Sequence, residues 1–401
     1  MNRRETTFNL LNIIICILIS INVIGWFVVK DHWVADASQG WTTQISKVLY
    51  GMVLVFMTPS VFWKSKRTIY AKLMVIYLCV SLYYGYYSDN YIDWGVFSKK
   101  MLIVFSFIYF DVAIKEEKIS KSLLNWYIIT MAVYVFNNVI RANVLGTALE
   151  TGKAMTGQGT SISIIYLIPL VACIWKPKYI GYFFIFSLVV CVISLRRTSI
   201  IACLLFFPFM YKYLKQSISK RIAIYVLVLL CGVSFYVVTN YWEVLELRFS
   251  DMFTPTEYNE TYGSGRSRWF MLLIKRIYNS GNPLLWFWGY GIGAAGDVLI
   301  EHGYTFRDTH SDYIELFHDM GLVGMFLFYI FFIRYSIRVY KASLRYKPIV
   351  AMTFLVIMFI GSVSTYINNP TGIAIPIFYN LILHKSSLLR SNGQNVNSVK
   401  R

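Results

Sequence analysis

His310 is followed at once by Ser311, then after nine residues by Gly321 and after two more by Gly324, so that HSDYIELFHDMGLVG runs from a polar loop into an apolar stretch. An imidazole, titrating near about 6.5 when unperturbed, is at such a boundary a candidate proton acceptor for a hydroxyl nucleophile. The plainer reading is a structural, hydrogen-bonding histidine. Tyr313 and Glu315 follow within two turns, and Glu315 is placed to orient the imidazole. Acidic residues also suit a solvated helix N-terminus, where the dipole is positive, and for Asp312 and Glu315 this second reading is preferred. The cationic candidates come in two pairs. Arg196 and Arg197, in VISLRRTSI, close one apolar run and open the next. Guanidiniums at that depth are costly unless they face a wet cavity or hold an anion, and their fork matches the oxygens of a diphosphate. The alternative is that both snorkel to the headgroups. Arg266 and Arg268, in YGSGRSRW, follow two glycines that let backbone approach a ligand closely, or they anchor an interfacial segment.

Other motifs exclude more than they suggest. GYGIG at Gly289 to Gly293 lacks the preceding strand and βαβ setting of a dinucleotide site. His32, His302, His318 and His384 show no metal-like spacing with one another. The six cysteines all lie in apolar runs without a CxxC pair, so they are expected to be buried hydrophobes, with neither disulfides nor zinc. No metal or cofactor is expected.

Composition makes these residues part of a bundle of membrane helices. Hydrophobic residues make up 57% of the 401 positions and charged ones 14%, outside the range of soluble domains. Apolar runs near the length of a bilayer crossing fall at 8–29, 45–63, 69–87, 96–114, 122–140, 160–175, 179–195, 198–214, 222–241, 321–340, 348–367 and 371–384, the last being short. The first has no cleavage site after it and is expected to be retained. With Arg3 and Arg4 in the cytoplasm, every second loop is basic (Lys64 to Arg67, Lys115 to Lys121, Lys176 and Lys178, Lys212 to Arg221, Arg334 to Lys347, and the tail), as the positive-inside rule requires. The net charge of +18 is then mainly a topology signal, with anionic headgroups as its partner, and it gives no support to nucleic-acid binding. Prolines 59, 169, 208 and 376 interrupt spans and suggest kinked helices.

One connection is long. Residues 242–320 carry six basic and eleven acidic residues, and within them 268–280 and 283–293 are apolar, aromatic and too short to span. They are expected to lie in the interface plane and roof the bundle. The expected organisation is a bundle at 1–241, an extracytoplasmic loop at 242–320, further spans at 321–384 and a cytoplasmic tail at 385–401.

From Arg196 to Gly324 this pattern resembles the O-antigen ligase and O-antigen polymerase superfamily. The shared features are the arginine pair RRTSI, the glycine-arginine element GSGRSRW, the GxGxG turn, and His-Ser followed nine residues later by Gly-x-x-Gly. The resemblance implies an all-α, polytopic bundle of about twelve transmembrane helices with one large extracytoplasmic loop, of the GT-C-like kind. It also implies an inverting, metal-independent glycosyltransferase of the bacterial inner membrane, with its active site facing the periplasm. His310 would be the base, and Arg196, Arg197, Arg266 and Arg268 would hold the diphosphate, with Tyr313 and Glu315 beside them. Its partners would be an undecaprenyl diphosphate-linked oligosaccharide, membrane lipids and a chain-length regulator protein. His-Ser in place of His-Asn favours the polymerases; the ligases remain the alternative. A lipid-linked oligosaccharide flippase is the alternative of another class, disfavoured by the long loop and the absence of two related halves.

Overall fold

The computed structural model describes residues 12–16, 19, 59–65, 68–87, 93–144, 161–194, 196–217, 232, 235, 239, 266–303, 309, 311–343, 346–364, 366 and 370–398. Most of the expected spans at 8–29, 45–63 and 222–241 therefore lie outside the described residues. Among those described there is no strand. The helices are α1 (Pro59–Lys64), α2 (Ile69–Tyr87), α3 (Trp94–Lys115), α4 (Lys121–Val144), α5 (Ser161–Ile174), α6 (Pro177–Ile193), α7 (Arg197–Leu205), α8 (Phe207–Ser217), α9 (Arg266–Asn279), α10 (Pro283–Trp288), α11 (Ala294–Glu301), α12 (Asp312–Ala342), α13 (Lys347–Val363) and α14 (Ala374–Ser398). By length and composition α12 is apolar enough to cross a membrane, and shorter apolar helices are Ile69–Tyr83, Ser161–Ile174, Pro177–Ile193 and Lys347–Val363.

Two helices organise the packing. α14 lies against α3, α5 and α12, while α12 also meets α2 and α13 and carries α9, α10 and α11. Where they converge, Phe107, Phe331, Phe332, Tyr335, Phe378 and Tyr379 are buried and pack ring against ring, Phe107 meeting Phe331 edge-on at 4.8 Å. The polar ends of those rings are satisfied within the core: Tyr335 donates to Asn380, and the Asn380 amide donates to the Phe107 and Pro376 carbonyls.

Contacts between helix ends fall into two groups. At one end Lys64 and Lys118 both pair with Glu116, and the Lys118 hydrogen bond holds that carboxyl below its usual range. Lys385 donates to the Cys173 carbonyl, also between ends assigned to the inside. At the other end Asp93 meets Ile292, Arg196 meets Ser364, and Asp312 meets Tyr366.

Several expectations need correcting. The run at 198–214 is two helices, parted at Phe206. The short run at 371–384 belongs to a 25-residue helix that continues through the expected tail. Of the four prolines only Pro169 lies inside a helix; Pro59, Pro208 and Pro376 occupy first turns, where a missing N–H leaves no bond unmade. Cys16 and Cys79 are exposed, whereas Cys173, Cys191 and Cys203 are buried and free; Cys231 lies outside the described residues.

The kink that matters is at a glycine. Within α12, Gly321 has φ 62° and ψ −171°, so the helix breaks at the position where the expected span begins. A Cβ there would collide with the backbone of Phe287 and Trp288, and a Cβ at Gly289 (φ 73°) would collide with Asp319 and Met320. Positive φ and close backbone approach together leave room only for glycine. Three carbonyls just before the break accept from outside the helix: His318 from Tyr290 N at 2.9 Å, Asp319 from Gly291 N at 2.9 Å, and Met320 from the Tyr77 hydroxyl at 2.6 Å. The GxGxG turn is thus the seat on which α10 and α11 dock against the kink, and Gly-x-x-Gly is its counterpart.

Candidate active site

Thr309 and Ser311 stand on either side of position 310, and both are buried. His310 itself lies outside the described residues, so its neighbours define the site. Thr309 Oγ1 lies 3.1 Å from Glu315 Oε2 and 3.2 Å from the Ser311 carbonyl. Glu315 Oε1 forms an ion pair with Lys100, which reaches in from α3. Ser311 donates toward the Gly361 carbonyl at 3.4 Å, and Asp312 Oδ2 accepts from the Tyr366 amide at 2.7 Å, so the end of α13 closes the other side.

Asp312 and Glu315 are 2% and 4% exposed, which overturns their reading as solvated acids of a helix N-terminus. Both occupy the first turn of α12, but the turn is inside the protein, and each carboxylate holds another element. Burial without partners would expel such charges, so the partners are part of the site's construction.

Arg196 joins the same end of the bundle. It precedes the first turn of α7 in extended conformation, and its Nη2 donates to Ser364 Oγ at 2.8 Å, three residues beyond Gly361. Ser199, one turn into α7, shares a 2.7 Å hydrogen bond with Ser161. Arg196 is thereby brought to the segment that receives Ser311 and Asp312. Arg197 begins α7 and Arg266 begins α9, but their side chains lie outside the described residues. Arg268 is exposed on α9, in the roof that packs on α11 and α12, a separate element from the one that carries Arg196. Tyr313 turns to α13: its hydroxyl donates to the Met358 carbonyl at 3.1 Å and its ring stacks on Tyr329 at 4.9 Å, so its contacts are those of a helix-packing group.

Beneath the roof is a second buried polar group. Asp319 Oδ2 accepts from Gly293 N and Oδ1 from Ala295 N, both at 2.8 Å, so one carboxylate caps the start of α11. His318 Nδ1 lies 3.3 Å from Asp319 Oδ1, and its ring stacks on Tyr290 at 5.0 Å. The Arg276 guanidinium lies over Tyr290 at 4.7 Å, and the Tyr290 hydroxyl donates to the Arg276 carbonyl. This stack ties α9 to the GxGxG turn and both to the kink.

Lys100, His318 and Asp319 escaped the reading of the sequence, although each left a signal. Lys99 and Lys100 stand at the end of the 96–114 run assigned to the outside, where positive charge is not expected. His318 and Asp319 are ionisable groups entering an apolar run, which by itself marks a functional or structural site.

Residues 182–329 match the family described as O-antigen ligase, a stretch that runs from α6 through the kink of α12 and contains every motif on which the resemblance rests. The match is consistent with the O-antigen ligase and polymerase superfamily, a family of membrane-embedded, glycosyltransferase-like enzymes of lipopolysaccharide and polysaccharide biosynthesis. No curated protein matches the chain.

Proposed function

We propose that the chain is an O-antigen polymerase, or the polymerase of a related surface polysaccharide, in the bacterial inner membrane with about twelve spans and its site toward the periplasm. It transfers a growing glycan from undecaprenyl diphosphate to the non-reducing end of a new lipid-linked repeat unit. His310 takes the proton of the acceptor hydroxyl as that oxygen bonds to the anomeric carbon. The bond from the anomeric carbon to the diphosphate breaks, and undecaprenyl diphosphate leaves. Attack from the opposite face inverts the anomeric centre. Arg196, Arg197, Arg266 and Arg268 stabilise the charge on the leaving diphosphate, the task a metal ion performs in other transferases. Glu315 and Tyr313 act on the frame of the site, not on the glycan.

The observation that carries this reading is the family match over 182–329, centred on motifs whose flanking residues Thr309 and Ser311 meet buried carboxylates and the Arg196 segment at one end of the bundle. The family's description favours a second reading, transfer of the finished glycan to the lipid A core. Lipopolysaccharide from a deletion strain separates the two on a gel. The polymerase reading expects core carrying a single repeat, restored to a ladder by the intact gene. Bare core with accumulating lipid-linked polymer would instead make the protein a ligase, and bare core with neither would point to the flippase.

A further inference from the structure

Lys100 has no exposed surface, and it lies at the end of α3 that the loop charges assign to the outside. A buried ammonium in a membrane helix is costly unless it is paired and has a task. Its pairing is with Glu315, 215 residues away in sequence, and Asp312 and Asp319 also lie within its electrostatic reach. The other oxygen of Glu315 meets the Thr309 hydroxyl. That hydroxyl has one hydrogen and two acceptors within range, Glu315 and the Ser311 carbonyl, so the placement of Glu315 decides how the two residues around position 310 are held.

We infer that Lys100 is a positioning residue: by fixing Glu315 it fixes Thr309 and Ser311, and with them the backbone on both sides of position 310. For its effect on turnover this rests on the reading of His310 as the base; its geometric part does not. An aliphatic or neutral pair of similar size would fill the same space, so packing alone does not call for the charges.

Lys100→Met alone removes a counter-ion from the buried Glu315 and is expected to fold poorly. The paired variant Lys100→Met/Glu315→Gln removes both charges and carries the test, on the full chain in detergent micelles. A Ser311→Cys reporter, at a site 2% exposed in the parent, is added for alkylation by maleimide with site-resolved mass spectrometry, and the glycan ladder is scored without the reporter. The paired variant should melt near the parent and keep Cys191 and Cys203 protected. The reporter thiol should nevertheless react about tenfold faster or more, because the segment opens locally. Chain extension should fall by roughly 10²-fold, the cost of an ångström-scale misplacement. Parental protection at the reporter would overturn the inference, as would alkylation that spreads to Cys191 and Cys203. A loosened reporter with a full ladder would uphold the geometry and overturn the role given to His310.

Discussion

His310→Ala is expected to abolish chain extension and to leave the protein in the membrane at its normal level. A positioned general base contributes about 10²- to 10⁴-fold to a rate, and an alkyl group at 310 offers no acceptor for the hydroxyl proton. In a deletion strain the variant should give core with one repeat, the same pattern as the empty vector, while immunoblots of membranes show full-length protein. The substitution is not expected to unfold the chain, because the described contacts that hold this segment come from Thr309, Ser311, Asp312 and Glu315. A full-length ladder from His310→Ala would remove the imidazole from the chemistry and leave the arginines without a base to serve.

The second large effect is structural. Asp319→Ala should lower stability by about 3–5 kcal/mol, because it strands the buried amides of Gly293 and Ala295, each costing about 1–3 kcal/mol, and removes the carboxylate beside His318. The roof of α9, α10 and α11 loses its fastening to α12, so chain extension should fall as well. Asp319→Asn keeps one acceptor and turns a donor toward the other amide, so its melting temperature should lie between those of Asp319→Ala and the parent. Thermal unfolding of the purified proteins in detergent measures this. Equal melting temperatures for all three would mean that the turn is held by its main-chain bonds to His318 and Asp319 alone.

The helices from α2 to α6, and α13, were legible within a few residues because uninterrupted apolar length is the dominant signal in a membrane chain. Breaks were not. Proline was expected to mark them, yet the kink in α12 sits at Gly321, because the approach of Phe287 forbids a side chain there, a tertiary cause that leaves only a glycine in the sequence. Of the candidate site, the residue types were legible. Its chemical types, a histidine by a membrane boundary and arginines at a helix junction, stood out against an apolar background. The carboxylates were misread because Asp312 and Glu315 obey the helix-dipole preference equally well whether the first turn is wet or buried. Lys100 was missed for a related reason: its partner lies on a helix remote in sequence, and a single-chain pattern carries no pairing information across 215 residues.

The most direct measurement uses the purified protein with a single lipid substrate, an undecaprenyl diphosphate-linked repeat unit, serving as both donor and acceptor. The polymerase reading predicts a lipid-linked product one repeat longer for each undecaprenyl diphosphate released, with inverted linkage, and neither product from His310→Ala. Transfer that appears only when lipid A core is supplied, or no transfer under any acceptor with the lipid merely moved across a bilayer, would contradict it.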